Sequence, residues 1–399
     1  MITRGARYVG AVMDMGTAGA RIVGSGLFRK AFGHHTYNGD AEAICTQIVQ
    51  RLYDGKRGYF RTSRTTYPDF WARDFGRSVP SLIALGYREE VLSSYRYALD
   101  IYQKQNRFAL VITPRGSLFD FPYYAPDGFA FFLRGLTFLD APDLIARYQG
   151  FLERAFRHFV AKVVDRKTGL VRRDRHYSEA QDFTKRTSSC YSNAMCRIVQ
   201  QAADALGLAN PLARYDYTAL IMEHFWAGDH FWDDMDKRPY VSGDACITPF
   251  LAGVVDDPQA RFEIVLERMD REQLTRPYVA RYGNTPKKNR PMIRIERFNK
   301  WQRDTVWTCL GLQLLDLLKQ YDMNRYLLEL GKLEQLVATL KCFPEVLFPD
   351  PCALYKGPFY MSEDSMLWAA DLLRMLKERD RDASATRPER GVTRFPYLS

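Results

Sequence analysis

The stretch GFAFFLRGLTFL, residues Gly128 to Leu139, is followed after two residues by PDLIARYQGFLERAFRHFVAKVV, residues Pro142 to Val164. The first segment is almost free of charge, which is typical of a helix that is buried on most sides. The second has apolar residues at helical spacing on one face and charged residues on the other, which indicates a helix with one side in water. Together they predict a hairpin of one buried inner helix and one solvated outer helix.

The same pairing of a short apolar segment with a charged amphipathic one recurs along the chain. The apolar segments cover residues 75–85, 128–139, 188–206, 245–255, 305–318 and 365–376. The amphipathic segments that alternate with them cover residues 41–53, 87–105, 142–164, 211–226, 258–269 and 323–343. Alternation with period two, which marks half-buried strands, is nearly absent. Six helical hairpins predict an all-α fold, an (α/α)6 toroid of six inner and six outer helices, with an open solenoid as second choice.

The toroid is expected to occupy most of the chain. We assign residues 40–380 to it, residues 1–39 to an N-terminal extension, and residues 381–399 to a basic, partly disordered tail. Long loops separate the helices, and one of them, over residues 274–282, has the pattern of a small β-hairpin. Loops of such length in a compact domain usually carry functional residues.

The composition is that of a globular protein. The chain of 399 residues is 46% hydrophobic and 26% charged, which excludes a mostly disordered protein. Its seven cysteines have no metal-binding spacing, and several lie in apolar helical segments, which indicates a reducing compartment. There is no apolar stretch long enough for a membrane span and no pattern of a signal peptide. We therefore expect a cytoplasmic protein.

The formal net charge is +10, but the basic residues are scattered along the chain instead of forming one dense block. A scattered surplus is typical of a solvated basic surface, so no nucleic-acid partner is predicted. The positive net charge is also compatible with an acidic glycan as the substrate, and this alternative stays open.

Acidic residues stand at the starts of the inner helices. Helix capping explains some of them, because an aspartate there accepts hydrogen bonds from the free N–H groups. In a toroid, however, all inner helices start at the same mouth, so these carboxylates are expected to converge on one funnel and to bind sugar hydroxyls. The residues are Asp74, Asp127, Asp244, Asp304 and Asp364, with Glu179 and Asp182 in the loop before the third inner helix.

The sequence YPDFWARD, residues 67–74, stands before the first inner helix. It resembles the Trp-x-Arg-Asp motif of six-hairpin glycosidases, in particular the glucoamylase-like and amylo-α-1,6-glucosidase groups. The resemblance, which extends over about residues 60–375, implies the (α/α)6 fold and glycoside hydrolase activity. It also implies that Arg73 and Asp74 bind hydroxyls of the sugar whose bond is cut, with Trp71 as a wall of the pocket.

Two loops supply the candidate catalytic acids. An inverting glycosidase needs a protonated general acid and an ionised general base about 6.5–9.5 Å apart. In the resembled enzymes these groups come from the loops before the third and the last inner helix. The first of these loops implies Asp182 as the acid, with Glu179 as the alternative. The second, with FPE at residues 343–345 and SEDSMLWAA at residues 362–370, implies Glu345 as the base, with Glu363 as the alternative.

Further residues are expected to bind substrate. The sequence DGFA at residues 127–130 resembles the opening of the second inner helix in glucoamylase-like enzymes, which implies a role for Asp127. The sequence WQRD adds Trp301 and Asp304, and the loop that carries the base adds Tyr360 and Trp368.

No metal and no cofactor are predicted. His224 and His230 lie near three aspartates, but their spacing fits no common zinc site. The glycines of residues 16–26 follow no strand and lie in no βαβ unit, which argues against a phosphate-binding loop.

These observations predict an inverting, exo-acting hydrolase for a glucoside or a related oligosaccharide. One alternative is a toroid enzyme of different chemistry: a phosphorylase, a lyase for acidic polysaccharides, or a sugar epimerase, for which only His176 is suitably placed. The other alternative is a glycan-binding protein without catalysis. The identity of the sugar, its linkage and the oligomeric state do not follow from the sequence.

Overall fold

The computed structural model describes residues 4–278, 280–283, 302, 304–350 and 352–385, with side chains from residue 16 to residue 382 within these ranges. The described helices are α1 (Arg4–Phe32), α2 (Ala41–Leu52), α3 (Ala72–Ala84), α4 (Arg88–Gln105), α5 (Pro126–Leu136), α6 (Pro142–Val163), α7 (Cys190–Ala205), α8 (Tyr217–Phe225), α9 (Gly243–Leu251), α10 (Pro258–Arg271), α11 (Thr308–Tyr321), α12 (Met323–Leu340) and α13 (Ala369–Ala385).

The inner helices are the odd-numbered ones from α3 to α13, and they form a closed ring. Each of α3, α5, α7 and α9 packs against the next inner helix, and α13 packs against α3. Side chains join α11 to α13, with Lys319 Nζ 2.8 Å from Glu378 and Arg374 2.7 Å from Asp316. The even-numbered helices from α2 to α12 lie outside this ring and show the buried face that their amphipathic pattern predicts. The predicted all-α toroid is confirmed.

The inner helices are rich in small residues because their backbones approach closely. A Cβ atom on Gly76 of α3 would lie 2.3 Å from the Phe131 carbonyl oxygen of α5. On α5 itself, a Cβ atom on Gly135 would lie 2.1 Å from the Tyr95 hydroxyl. Gly76 therefore allows α3 and α5 to approach closely, and Gly135 makes room for Tyr95 of the outer helix α4.

Short antiparallel strands link the loops next to the inner helices. They are β1 (Tyr53–Asp54), β2 (Tyr59–Phe60), β3 (Phe70–Trp71), β4 (Val111–Ile112), β5 (Leu118–Phe119), β6 (Val306–Trp307) and β7 (Val346–Leu347). Strand β3 leads directly into α3, and β6 leads directly into α11. Strand β7 pairs with β6, so that Trp307 lies opposite Val346, next to Glu345. The strands thus bring distant loops to one mouth.

Two segments differ in detail from the sequence expectation. The hairpin expected over residues 274–282 is not formed by the described part of that segment, where Arg281 instead makes an isolated bridge to Val306. Helix α13 continues to Ala385, into the range assigned to the tail, whose residues 386–399 lie outside the described ranges.

The N-terminal extension contains the 29-residue helix α1. Its C-terminal half packs on the mouth of the toroid, where Gly26 contacts the backbone of Tyr360 and Met361. Neither α1 nor any other helix in the described ranges is both long enough and apolar enough to cross a membrane.

Candidate active site

A cavity of about 270 Å³ opens at the mouth of the ring. The start of α3 supplies Trp71, Arg73 and Asp74 to its lining, and the loops before α7 and α13 supply Asp182 and Glu345. Five residues from three distant stretches of the sequence, all of which the sequence assigns to sugar binding or catalysis, therefore share one cavity.

Asp182 is held by the arginine of the Trp-x-Arg-Asp motif. Arg73 Nη2 lies 2.9 Å from Asp182 Oδ1, while Arg73 Nε lies 2.8 Å from Asp127 Oδ2. Burial raises the pKa of Asp182 to about 7, although the positive charge of Arg73 opposes the shift. This carboxyl group can therefore carry a proton near neutral pH.

Glu345 is held by a tyrosine of the same loop. The Tyr360 hydroxyl donates a hydrogen bond to Glu345 Oε2. Burial raises the pKa of Glu345 to about 7, and this hydrogen bond lowers it in part. Burial also raises the pKa of Tyr360, so its hydroxyl stays a donor. The arrangement favours the ionised form of Glu345 more than an apolar pocket alone would do.

The two alternative acids lie in ion pairs outside the cavity lining. Glu179 is 3.0 Å from Arg186 and accepts a hydrogen bond from Ser189. Glu363 is 3.1 Å from Arg29 and accepts hydrogen bonds from the Thr66 N–H group and the Thr65 hydroxyl. Both carboxylates are buried, and their oxygens are used to hold the loops in place.

Asp74 lines the cavity beside Arg77, whose Nη2 atom lies 3.7 Å from Asp74 Oδ1. Burial raises the pKa of Asp74, and the charges of Arg77 and Arg73 oppose the shift. The Arg77 guanidinium also stacks on Trp368, at 4.9 Å from the ring centroid. The Asp74 carboxyl group can thus accept hydrogen bonds from a molecule in the cavity, and its neighbours Arg77 and Trp368 are packed against each other.

Aromatic rings form much of the remaining lining. Trp71 contacts Tyr67 and Phe121 edge to face, with centroids 5.5 and 6.0 Å apart. Tyr360 and Trp368 also line the cavity, as the sequence predicts. Tyr67, the first residue of the predicted YPDFWARD segment, lines it too, and Trp307 lines it without having been predicted as a binding residue. Trp307 stands in β6, three residues after the last residue of the WQRD segment, and that position is the signal by which it could have been found.

Several other predicted acids do not line the cavity. Asp127 is fully buried behind Arg73 and accepts a hydrogen bond from the Tyr191 hydroxyl. Asp244 pairs with Arg186, at 2.7 Å. Asp304 and Asp364 are not among the lining residues either, and Trp301 lies outside the described residues. Of the acids expected to converge on the funnel, the structure places Asp74 and Asp182 there.

Within the described ranges, no histidine lines the cavity. His176 Nδ1 lies 3.2 Å from the Arg186 carbonyl oxygen. His230 Nδ1 lies 2.6 Å from Asp229 Oδ1, away from the cavity lining. No group of three or more metal-binding side chains occurs in the described part of the chain.

Comparison with known proteins gives matches among solved structures. No protein family model matches the chain, and no curated protein matches it significantly by sequence. A rhamnosidase from Klebsiella oxytoca, solved with rhamnose bound, is similar with a TM-score of 0.63 and 12% identity, over 86% of this chain. This chain spans 65% of the rhamnosidase.

Two further structures match over nearly their whole length. A GH63 mannosylglycerate hydrolase from Thermus thermophilus, in complex with glucose, has a TM-score of 0.58 and 12% identity, over 84% of this chain and 100% of that chain. A wild-type glycosidase has a TM-score of 0.59 and 13% identity, over 85% and 96%. The chain has the fold of the six-hairpin glycosidases. At these identities the likeness establishes the fold, which the resemblance of the sequence motifs implies.

Proposed function

We propose that the protein is an inverting, exo-acting glycoside hydrolase for a glucoside or a related sugar. The observation that carries this proposal is a pair of carboxyl groups in one cavity, the part-buried Asp182 and the buried Glu345, with the pKa of each raised to about 7. The solved structures that share its fold include a rhamnosidase and a mannosylglycerate hydrolase, which supports carbohydrate chemistry at this mouth.

In the proposed reaction, protonated Asp182 gives its proton to the glycosidic oxygen as the bond from the anomeric carbon to that oxygen breaks. Ionised Glu345 takes a proton from a water molecule, whose oxygen forms the new bond to the anomeric carbon on the opposite face. The Arg73 guanidinium, 2.9 Å from Asp182, stabilises the carboxylate that forms when Asp182 loses its proton. Asp74 accepts hydrogen bonds from hydroxyls of the sugar.

The alternative chemistries receive less support from the site. A sugar epimerase of this shape needs histidines at the mouth, and the described lining contains none. A lyase for acidic polysaccharides needs cations that bind carboxylates, whereas Arg73 and Arg77 are engaged with Asp127, Asp182 and Asp74. A phosphorylase would share the general acid and would be distinguished by a requirement for phosphate.

The proposal is tested by a screen of aryl glycosides and oligosaccharides without phosphate, followed by Asp182→Asn and Glu345→Gln. We expect each substitution to lower kcat by about 10²–10⁴-fold, the usual contribution of a general acid or base. Asp174→Asn and Asp350→Asn, at exposed positions of the same two loops, are matched controls and should keep full activity. NMR of the first product should show the anomer opposite to that of the substrate. Undiminished cleavage by both cavity variants would refute the mechanism.

A further inference from the structure

Helix α1 crosses the mouth of the cavity. At one point Ala18 is buried against Trp71 and Phe119, on the side of strand β5. Two turns further on, Gly26 lies so close to the loop before α13 that an added Cβ atom would be 3.0 Å from the Met361 nitrogen. The helix therefore reaches from the ring wall beside Trp71 to the loop that holds Glu345 and Tyr360.

Between these two anchor points, α1 presents an apolar face to the cavity. Gly19, Ile22 and Val23 line it, and their spacing places them on one side of the helix. We call these three residues the α1 wall. None of them has a side chain that can make a hydrogen bond.

The α1 wall is fixed in position by polar contacts on either side. Arg29, which is only 4% exposed, donates to Glu363 Oε2 at 3.1 Å, to the Met361 carbonyl oxygen at 2.7 Å and to the Thr66 hydroxyl at 2.9 Å. Arg21 lies 3.1 Å from Asp69. The buried guanidinium of Arg29, with its several partners, holds the helix in one arrangement, and the half-buried ion pair of Arg21 adds a second attachment. The wall is thus part of the site and not a loose appendage.

The cavity is consequently polar at one side and apolar at another. Arg73, Asp74, Asp182 and Glu345 offer charged groups to a sugar, whereas the α1 wall offers only aliphatic surface. A second sugar unit packed on that surface would leave hydroxyl groups without partners, which is unfavourable. An apolar leaving group would instead gain from burial.

We infer that the leaving group packs on the α1 wall, and that the wall therefore selects short glycosides with an apolar leaving group over the ends of longer oligosaccharides. This inference rests on the proposed function and narrows its substrate class. It assigns a specificity role to Gly19 and Val23, residues of a segment that the sequence presents only as an extension.

The test compares two substrates of the sugar identified by the screen: its p-nitrophenyl glycoside and its linear tetrasaccharide. The wild type should cleave the aryl glycoside with the higher kcat/KM. Gly19→Leu fills open space at the wall and should lower kcat/KM for the aryl glycoside roughly tenfold or more. Gly24→Leu is the matched control, because Gly24 lies in the same helix with open space around it and does not line the cavity. It should behave as the wild type.

Val23→Thr tests the apolar character of the wall without changing its volume. The added hydroxyl should reduce the preference for the aryl glycoside over the tetrasaccharide by about 3- to 10-fold. Equal activity of the Gly19→Leu and Gly24→Leu variants, or an unchanged preference in Val23→Thr, would overturn the inference and leave the proposed function intact.

Binding, read from the fluorescence of Trp71, Trp307 and Trp368 in the lining, separates the remaining outcomes. In one outcome the wild type cleaves no glycoside but binds the aryl glycoside, and Gly19→Leu weakens that binding. The proposed function is then wrong, while the role of the α1 wall in binding apolar groups is retained. If the wild type neither cleaves nor binds any glycoside of the screen, both are wrong.

Discussion

Asp182 and Glu345 have similar raised pKa values, yet their neighbours favour different roles. Asp182 faces a guanidinium that can stabilise the charge left after proton donation. Glu345 receives a hydrogen bond from the Tyr360 hydroxyl, which favours the ionised form that a base needs. With a base and an acid that both titrate near pH 7, kcat/KM should follow a bell-shaped curve centred close to neutral pH.

Tyr360→Phe should shift the acidic side of that curve. The hydrogen bond from Tyr360 lowers the pKa of Glu345, so its loss raises that pKa further. Since the base must be ionised, we expect the acidic limb of kcat/KM to move to higher pH by about one unit, which is about a tenfold loss below pH 6. The basic limb should stay in place. Tyr326→Phe, on the outer helix α12 and outside the cavity lining, is the control. An unmoved acidic limb would contradict the role given to Tyr360.

At the scale of elements, the periodicity of the sequence was sufficient to predict the six hairpins. The apolar segment that predicts α13 ends at residue 376, whereas the helix continues to Ala385. Charges beyond residue 376 are paired with neighbouring helices: Arg379 lies 2.5 Å from Glu334 of α12, and Glu378 lies 2.8 Å from Lys319 of α11. Composition cannot distinguish paired charges from solvated ones. Helix α1 could not be assigned a role from the sequence either. The face of this helix that lines the cavity meets the rest of the cavity only in the folded ring.

Gly76→Ala tests the close packing of the inner helices α3 and α5. The added methyl group would lie 2.3 Å from the Phe131 carbonyl oxygen, so one of the two backbones must move. We expect the free energy of unfolding, measured with urea, to fall by about 3 kcal/mol. Gly331→Ala, on the outer helix α12 with open space around it, should instead raise it by about 0.5–1 kcal/mol, because alanine favours helices. Equal changes in the free energy of unfolding for the two variants would show that α3 and α5 are not closely packed at Gly76.

At the scale of the whole molecule, the sequence was a better guide to the candidate acids that line the cavity than to the residues that support them. Asp182 and Glu345 were indicated by the loops in which they occur, whereas Asp127 was expected in the funnel and lies behind Arg73. An aspartate at the start of an inner helix can point to the cavity or to a neighbouring arginine, and only the three-dimensional arrangement decides. The same closure of the ring that creates the cavity buries Glu345 and shields most of the Asp182 side chain from water, which raises the pKa of each.

That burial predicts a conflict between activity and stability. An unfolded glutamate has a pKa of about 4.3, whereas Glu345 in the folded protein has a pKa of about 7. Between these values the folded state binds more protons than the unfolded state, so this group lowers the free energy of unfolding as the pH rises, and fully so above pH 7.

Glu345→Gln removes the buried charge. It should therefore raise that free energy by on the order of 2 kcal/mol at pH 8 and by almost nothing at pH 4.5, in urea unfolding of both proteins. Asp350→Asn, at an exposed position, should show no such dependence on pH. A variant that is inactive but no more stable at pH 8 would mean that Glu345 is not buried as a charge in the folded protein.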